Sequence, residues 1–486
     1  MIKINEKFNK TFSDLPEKVL QIGEGNFLRA FVDWIVESAN RQGVFNGSVV
    51  IAQPIRTGMC EKLNEQNCMY TVLMRGMENG KTVECFEKIT SVSRCINTYE
   101  NYDEVIKAAC SPQLEVIISN TTEAGIAYAE EDSFNDIPPE SYPAKLTALL
   151  YNRYKKFNGD NEKGLLILPV ELIERNGDNL KKIVYRYAEE WGFENGFVEW
   201  LDSSCEFANT LVDRIVTGFP SDEYEEIQKR IGYEDKMLVT CEPFLFWVIE
   251  CNKKWEKKFP ISDLGLNIVF TDDMTPYRTR KVRILNGAHT VSVLAAYHCG
   301  HNTVLEMMKD GSFNKYIKTV MFNEIVPNID LPEKELEFFA NAVIERFENP
   351  FIKHRLLDIS LNSVSKFKAR CLDSLLDHID ANGSLPTVLT FGLAALIYFY
   401  KGEMQGDKYM GQRGEECYQI RDSQEVLMFM SNAWKSKDTV KKVLANESFW
   451  GRNLNEIKGL TGTVEKHLCD IEKNGMKNTI NSLNLD

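Results

Sequence analysis

The run KVRILNGAH, Lys281 to His289, sets a lysine, an asparagine and a histidine among apolar and small residues. A packed helix gains little from three such side chains unless they meet a ligand. Their chemistry suits reduction of a ketone. A lysine whose pKa is lowered by burial or a nearby cation can protonate the developing alkoxide, and can act as the base in reverse. An asparagine amide can donate to the oxyanion, and a histidine can orient the substrate. Asn286 and His289 are three residues apart and share a helix face. Lys281 lies five residues before Asn286, about 140° around an ideal α-helix. It must then reach across on its long stem or sit just before the helix begins. The competing account is structural: a basic surface residue, a capping asparagine and a core histidine.

A ketone reductase also needs a hydride donor, and QIGEGNFLRAF offers a place for one. Gly23 and Gly25 stand between the apolar KVLQIG and the helical FLRAFVDWIVESAN. In a dinucleotide fold the first glycine permits a tight turn and the second lets the backbone approach a pyrophosphate. The helix start adds N–H donors. Leu28 replaces the third glycine of GxGxxG, but the strand–turn–helix context is the one the motif requires. The next strand, GSVVIAQP, ends without the acid that usually grips the cofactor ribose. Gln53 and Arg56 stand there instead, and Arg56 could meet the extra phosphate of NADP, so the choice between NAD and NADP stays open.

These residues need a frame. Short apolar runs (KVLQIG, GSVVIAQP, EVIISNTT, KGLLILPVE) alternate with helical stretches, which predicts a parallel, doubly wound sheet. KTVECFEKITSVSR alternates like one antiparallel strand inserted into that pattern, and LGLNIVFTDDM reads as a last strand. After about Thr275 nearly every stretch favours helix, with stops at NGS and KGEMQGDK. The fold class is therefore α/β: a Rossmann-type dinucleotide-binding domain over 1–275 and a mostly α-helical substrate domain over 276–486. Length alone also favours two cores, at 486 residues.

Composition excludes several classes. A net charge of −14 argues against a nucleic-acid binder. No apolar stretch approaches the roughly 20 residues of a membrane span, and the start lacks a signal peptide's apolar core, so the expected location is cytoplasmic. The twelve cysteines are scattered without CxxC pairs, which argues against a zinc site or disulfide framework. HCGH, with His298 and His301, is a minor metal candidate lacking the usual companion ligands. The expectation is no metal.

Elsewhere, LIERNGDN places Asn176 in a loop after a strand, and NTLVDRIVTG sets Asp213 beside Arg214, a pair that could simply be ionic. GEGNFLRAF, TLVDRIV and KVRILNGAH, in this order and spread over most of the chain, resemble the mannitol dehydrogenase family of polyol-specific long-chain dehydrogenases. The resemblance implies NAD as cofactor, no metal, and a small-molecule keto-sugar, keto-uronate or aldonate substrate. It makes Lys281 the acid/base, Asn286 and Asn176 the oxyanion donors, and His289 and Asp213 the hydroxyl partners. Cofactor contacts then fall on Ile22, Gly23, Glu24, Gly25, Asn26, Phe27 and Gln53, and on Glu123 in SNTTEAGI. A substrate carrying a carboxylate would also need a cation. The run KHRLLDISLNSVSKFKAR offers Lys353, His354, Lys366 and Arg370, of which Lys366 with His354 is favoured here. A dinucleotide-sensing protein without turnover is the alternative from another class.

Overall fold

The structure, a computed structural model, describes residues 1–12, 14–122 and 124–485. It divides into two compact units, one of Met1–Gly76 with Thr82–Met274, the other of Met77–Lys81 with Thr275–Asp486. The main segment of the second unit begins one residue before the boundary expected from sequence.

The first unit is built on six parallel strands: β1 (Glu17–Ile22), β2 (Ser48–Gln53), β3 (Val92–Asn97), β4 (Val116–Ser119), β5 (Leu166–Pro169) and β6 (Glu206–Phe207). Their order is β3-β2-β1-β4-β5-β6, that of a dinucleotide-binding sheet. Both faces are covered, which is why these strands are apolar runs rather than half-polar alternations. Val19, Val49, Ile51 and Val116 enter one core, and Leu20, Val50, Ala52 and Ile117 the other. Helices α1 (Asn26–Ala30) and α2 (Val32–Arg41) follow β1, and α3 (Asn176–Glu190) follows β5.

Two strand expectations change. The sequence predicts one inserted strand across residues 81–94, whereas the structure breaks it at Thr90 and Ser91. Lys81–Ile89 joins Tyr70–Glu78 in a separate four-stranded sheet, and Val92 starts the edge strand β3. The break is pinned by α2: Thr90 donates its N–H (2.7 Å) and hydroxyl to buried Glu37, and Ser91 donates to the Asp33 carbonyl. The expected last strand, Ile268–Thr271, lies outside the six-stranded sheet. It pairs parallel with Phe246–Glu250, which pairs antiparallel with Asn209–Asp213.

The second unit is mostly helical, around α4 (Gly287–His298) and α5 (Thr387–Phe399). Both are buried on nearly every side, which explains their weak amphipathic pattern. Helix α5 starts after Pro386, where buried Glu324 accepts the Val388 and Leu389 N–H groups at 2.7 and 2.9 Å. Within KGEMQGDK and beyond, a three-stranded antiparallel meander (Gly402–Gln405, Lys408–Arg413, Glu416–Ile420) stands where the sequence predicts a helix stop. Three segments are wound as π-helix: Lys281–Asn286, Thr319–Ile325 and Lys368–Leu372. Among the described residues no helix is long and apolar enough to cross a membrane.

Candidate active site

In the first unit, the turn after β1 has the shape its glycines predict. Gly23 sits at φ +124°, and its N–H donates to the Ala52 carbonyl at 3.0 Å. A Cβ there would lie 3.2 Å from both the Asn120 carbonyl oxygen and Leu28 Cδ1, so Leu28 closes the space that the usual third glycine leaves open. Gly25 caps α1 with open space around it. This opening, with a helix start behind it, fits a pyrophosphate. Ile22 ends β1 buried, and Phe27 stacks on Phe31 at 5.0 Å.

Two charged residues hold that turn from within. Arg29 is buried and donates to the Glu24 carbonyl (3.1 Å), Asn26 Oδ1 (2.7 Å) and the Met237 carbonyl. Sequence reasoning passed over it, although a lone cation inside FLRAF was a visible sign. Glu24 points away from the turn: its Oε1 accepts the Met59 N–H at 3.3 Å, and burial raises its pKa. Its side chain therefore clasps the loop after β2.

Beyond the carboxyl ends of β2 and β3 lies a depression of about 960 Å³, lined among others by Gln53, Arg56, Cys60 and Asn97. This is where a ribose would sit in such a sheet. Gln53 borders it, yet its amide is engaged locally, donating to the Ile55 carbonyl (2.8 Å) and accepting the Cys60 N–H (3.0 Å). Arg56 lies over the Tyr99 ring at 4.4 Å and pairs with Glu140 at 3.1 Å. Glu171, missed in the sequence, is buried at the end of β5. It accepts from the Thr121 N–H and hydroxyl (both 3.0 Å) and from the Ser119 hydroxyl (3.1 Å), so it fixes the loop after β4. Glu123, in that loop, lies outside the described residues.

Asn176 needs correction. It is fully buried at the start of α3, and its amide donates to the carbonyls of Pro169 (2.9 Å), Glu171 (3.0 Å) and Thr210 (3.2 Å). Its Oδ1 accepts the N–H groups of Gly177 and Thr210. No donor remains for a substrate oxyanion. Asn176 is a clasp between strand ends. Asp213 ends its strand, buried opposite Phe246. Its neighbour Arg214 donates to the Glu242 and Ala30 carbonyls and covers the Trp34 ring.

In the second unit, the backbone settles how Lys281 and Asn286 relate. The Gly287 N–H reaches back to the Val282 carbonyl, the five-residue spacing of a π-turn. Under that repeat Lys281 and Asn286 stand one turn apart, not about 140° around as in an α-helix. Gly287 permits the arrangement: a Cβ there would lie 3.0 Å from the Arg370 carbonyl oxygen and 3.7 Å from Ile325 Cδ1. Those two neighbours belong to the other two π segments, so all three meet at this glycine.

One turn on, the His289 ring lies flat against Phe347 (4.1 Å, 10°) and edge-on to His354 (5.3 Å, 90°). Burial, then the charges of His354, Arg346, Arg370 and Lys366, push its pKa well below 6.5, so the ring is neutral. Its Nε2 is buried without a hydrogen-bond partner. Lys366 donates to the Ile359 carbonyl at 2.8 Å, and burial lowers its pKa. The HCGH histidines are engaged elsewhere, His298 with the Tyr418 hydroxyl (3.0 Å) and His301 with Asp310 (3.2 Å).

Fold and residue types together define a dehydrogenase acting on CH–OH groups. Residues 17–263 match the mannitol dehydrogenase Rossmann domain, and residues 273–472 match the mannitol dehydrogenase C-terminal domain. The chain belongs to the mannitol dehydrogenase family. It is 44% identical to an altronate oxidoreductase of Phocaeicola vulgatus over 96% of this chain and 97% of that one. The altronate oxidoreductase of Halalkalibacterium halodurans is 43% identical over 97% and 94%. Among solved structures, a D-sorbitol dehydrogenase superposes with a TM-score of 0.80 at 18% identity, covering 99% of this chain and 100% of the other. The mannitol 2-dehydrogenase of Pseudomonas fluorescens, in a ternary complex with NAD and D-mannitol, gives 0.66 at 21% identity, covering 97% and 95%. Those two show the shared fold.

Proposed function

We propose that this protein catalyses the reversible, NAD-dependent reduction of D-tagaturonate to D-altronate. The observation that carries the reading is the 43–44% identity to altronate oxidoreductases across nearly the whole of both chains. NADH, when bound, supplies the hydride for the keto carbon. The chain's own residues do the rest. Lys281 gives a proton to the former keto oxygen and takes it back in the oxidation direction. The Asn286 amide, one π-turn away, donates to that oxygen while it carries charge. Neutral His289 presents Nε2 to a neighbouring hydroxyl, and Asp213 accepts from another. Because Arg56 already has Glu140 as counter-charge, the ribose end favours NAD over a cofactor with an extra phosphate.

The test is NADH oxidation by the purified protein with D-tagaturonate, D-fructuronate and D-fructose in parallel, repeated with NADPH. A rate confined to tagaturonate and NADH is the expected outcome. Preference for fructuronate or fructose would keep the chemistry and overturn the substrate. Tight NADH binding with no turnover on any of them would favour a sensor.

A further inference from the structure

The surroundings of His289 hold more positive charge than the fold can use. The side chains whose charges weigh most on its ring are all basic: His354, whose own pKa burial lowers, Arg346, Arg370 and Lys366. Arg370 is half-buried, and among the described residues its guanidinium donates to a single side chain, the Thr290 hydroxyl at 3.5 Å, one residue beyond His289. Among the described residues no carboxylate forms an ion pair with Arg370, Lys366 or His354. The acid nearest His354 in sequence, Asp358, pairs with Arg421 instead. A partly desolvated guanidinium without a counter-charge is costly to maintain for stability alone. It is also held in place, because its own carbonyl packs against Gly287 and the neighbouring Cys371 thiol donates to the Gly287 carbonyl at 3.6 Å.

We propose that Arg370, seconded by His354, receives the carboxylate of the substrate and is the residue that makes this enzyme choose sugar acids over neutral polyols. The proposal rests on the keto-uronate reading above and refines it. It moves the main contact from Lys366, which is tied to the Ile359 carbonyl, to a guanidinium able to make paired hydrogen bonds with a carboxylate.

The experiment compares binding of D-altronate and D-altritol, which differ only in carboxylate against hydroxymethyl, to the NADH-saturated enzyme, with which neither alcohol can react, by calorimetry, together with tagaturonate KM and kcat. The wild type is expected to prefer altronate by at least about thirtyfold, as one charge-assisted bidentate contact allows. Arg370→Met should bring that preference within about threefold and raise tagaturonate KM far more than it lowers kcat. Arg370→Lys should restore part of it. A preference unchanged in Arg370→Met, or an equal loss for both ligands that Arg370→Lys does not repair, would overturn the assignment. Wild-type enzyme that lacks tagaturonate turnover, yet shows an acid preference lost in Arg370→Met, would instead overturn the substrate reading and leave this site standing.

Discussion

Buried charge is answered differently in the scaffold of the first unit and around His289 in the second. In the first, several deep charges have their answer nearby. Arg29 is surrounded by Asp33, Asp235 and Glu24, Arg153 donates to four backbone carbonyls, and Asp235 accepts from Gln66 and from the Thr71 and Met237 N–H groups. In the second, Arg370 and Lys366 weigh on His289 and form no ion pair with a carboxylate among the described residues, while Asp358 pairs with Arg421. Compensated charges hold a scaffold, whereas uncompensated ones mark the place where a ligand completes the set. The same contrast separates two asparagines. Asn176 has every polar atom of its side chain engaged inside the first unit, while the Asn286 side chain, at the end of a π-turn, forms no hydrogen bond among the described residues and only its backbone carbonyl accepts the Thr290 hydroxyl, at 2.8 Å.

The strongest way to break this contrast is at Lys281. Lys281→Ala is expected to lower kcat by about 10²–10⁴-fold, the range of a lost general acid. Fluorescence titration should show NADH affinity unchanged. Full activity in that variant would remove the second unit's claim to the chemistry. Asn176→Ala should behave in the opposite sense. It strands buried carbonyls at two strand ends, at about 1–3 kcal/mol for each group left unsatisfied. Melting temperature should fall clearly, while the folded fraction turns over at the wild-type rate. A kcat loss without destabilisation would return Asn176 to the oxyanion.

How far the sequence reveals each unit follows from the same physics. The parallel sheet is legible because strands buried on both faces must be apolar runs, as at Val19–Ile22 and Val116–Ile118. Strand β3 is not, because its exposed edge carries Arg94 bonded to Glu17 and Glu104, and its start depends on a helix carboxylate 53 residues earlier in the chain. The residue types of KVRILNGAH are plain in the sequence. Their relative placement is not, since one extra residue per turn changes which side chains align, and no local propensity announces a π segment. Arg370 could be named only as one of several cations, because the absence of a counter-charge is a property of the folded chain.

Gly287 sharpens the comparison at intermediate cost. Gly287→Ala would drive a methyl to 3.0 Å from the Arg370 carbonyl oxygen, a backbone atom that cannot swing aside. Destabilisation by about 1–3 kcal/mol is expected, the usual penalty of overpacking, with tagaturonate KM rising as Arg370 shifts. Gly25→Ala, in open space, should leave the apo-protein melting temperature within the small range of surface changes and act on NADH affinity alone. Equal effects in both variants would mean that the three π segments do not meet where they hold Arg370.

The smallest effect concerns pH. Burial raises Glu324 from its usual 4.5 to about 7, opposed by the N–H groups of α5 that its carboxylate accepts. The folded chain therefore keeps a proton that the unfolded chain has already lost between pH 4.5 and 7. With more protons bound in the native state, stability falls as pH rises through that window and levels off above it. Glu324→Gln carries no ionisable group there, so its melting temperature should decline less than the wild type's between pH 5 and 8. The difference between the two proteins should widen through that window and stay constant above about pH 7, where the folded carboxyl has also ionised and its contribution no longer changes with pH. Parallel curves for the two proteins through the whole range would show that Glu324 is already ionised at acid pH, held so by the start of α5.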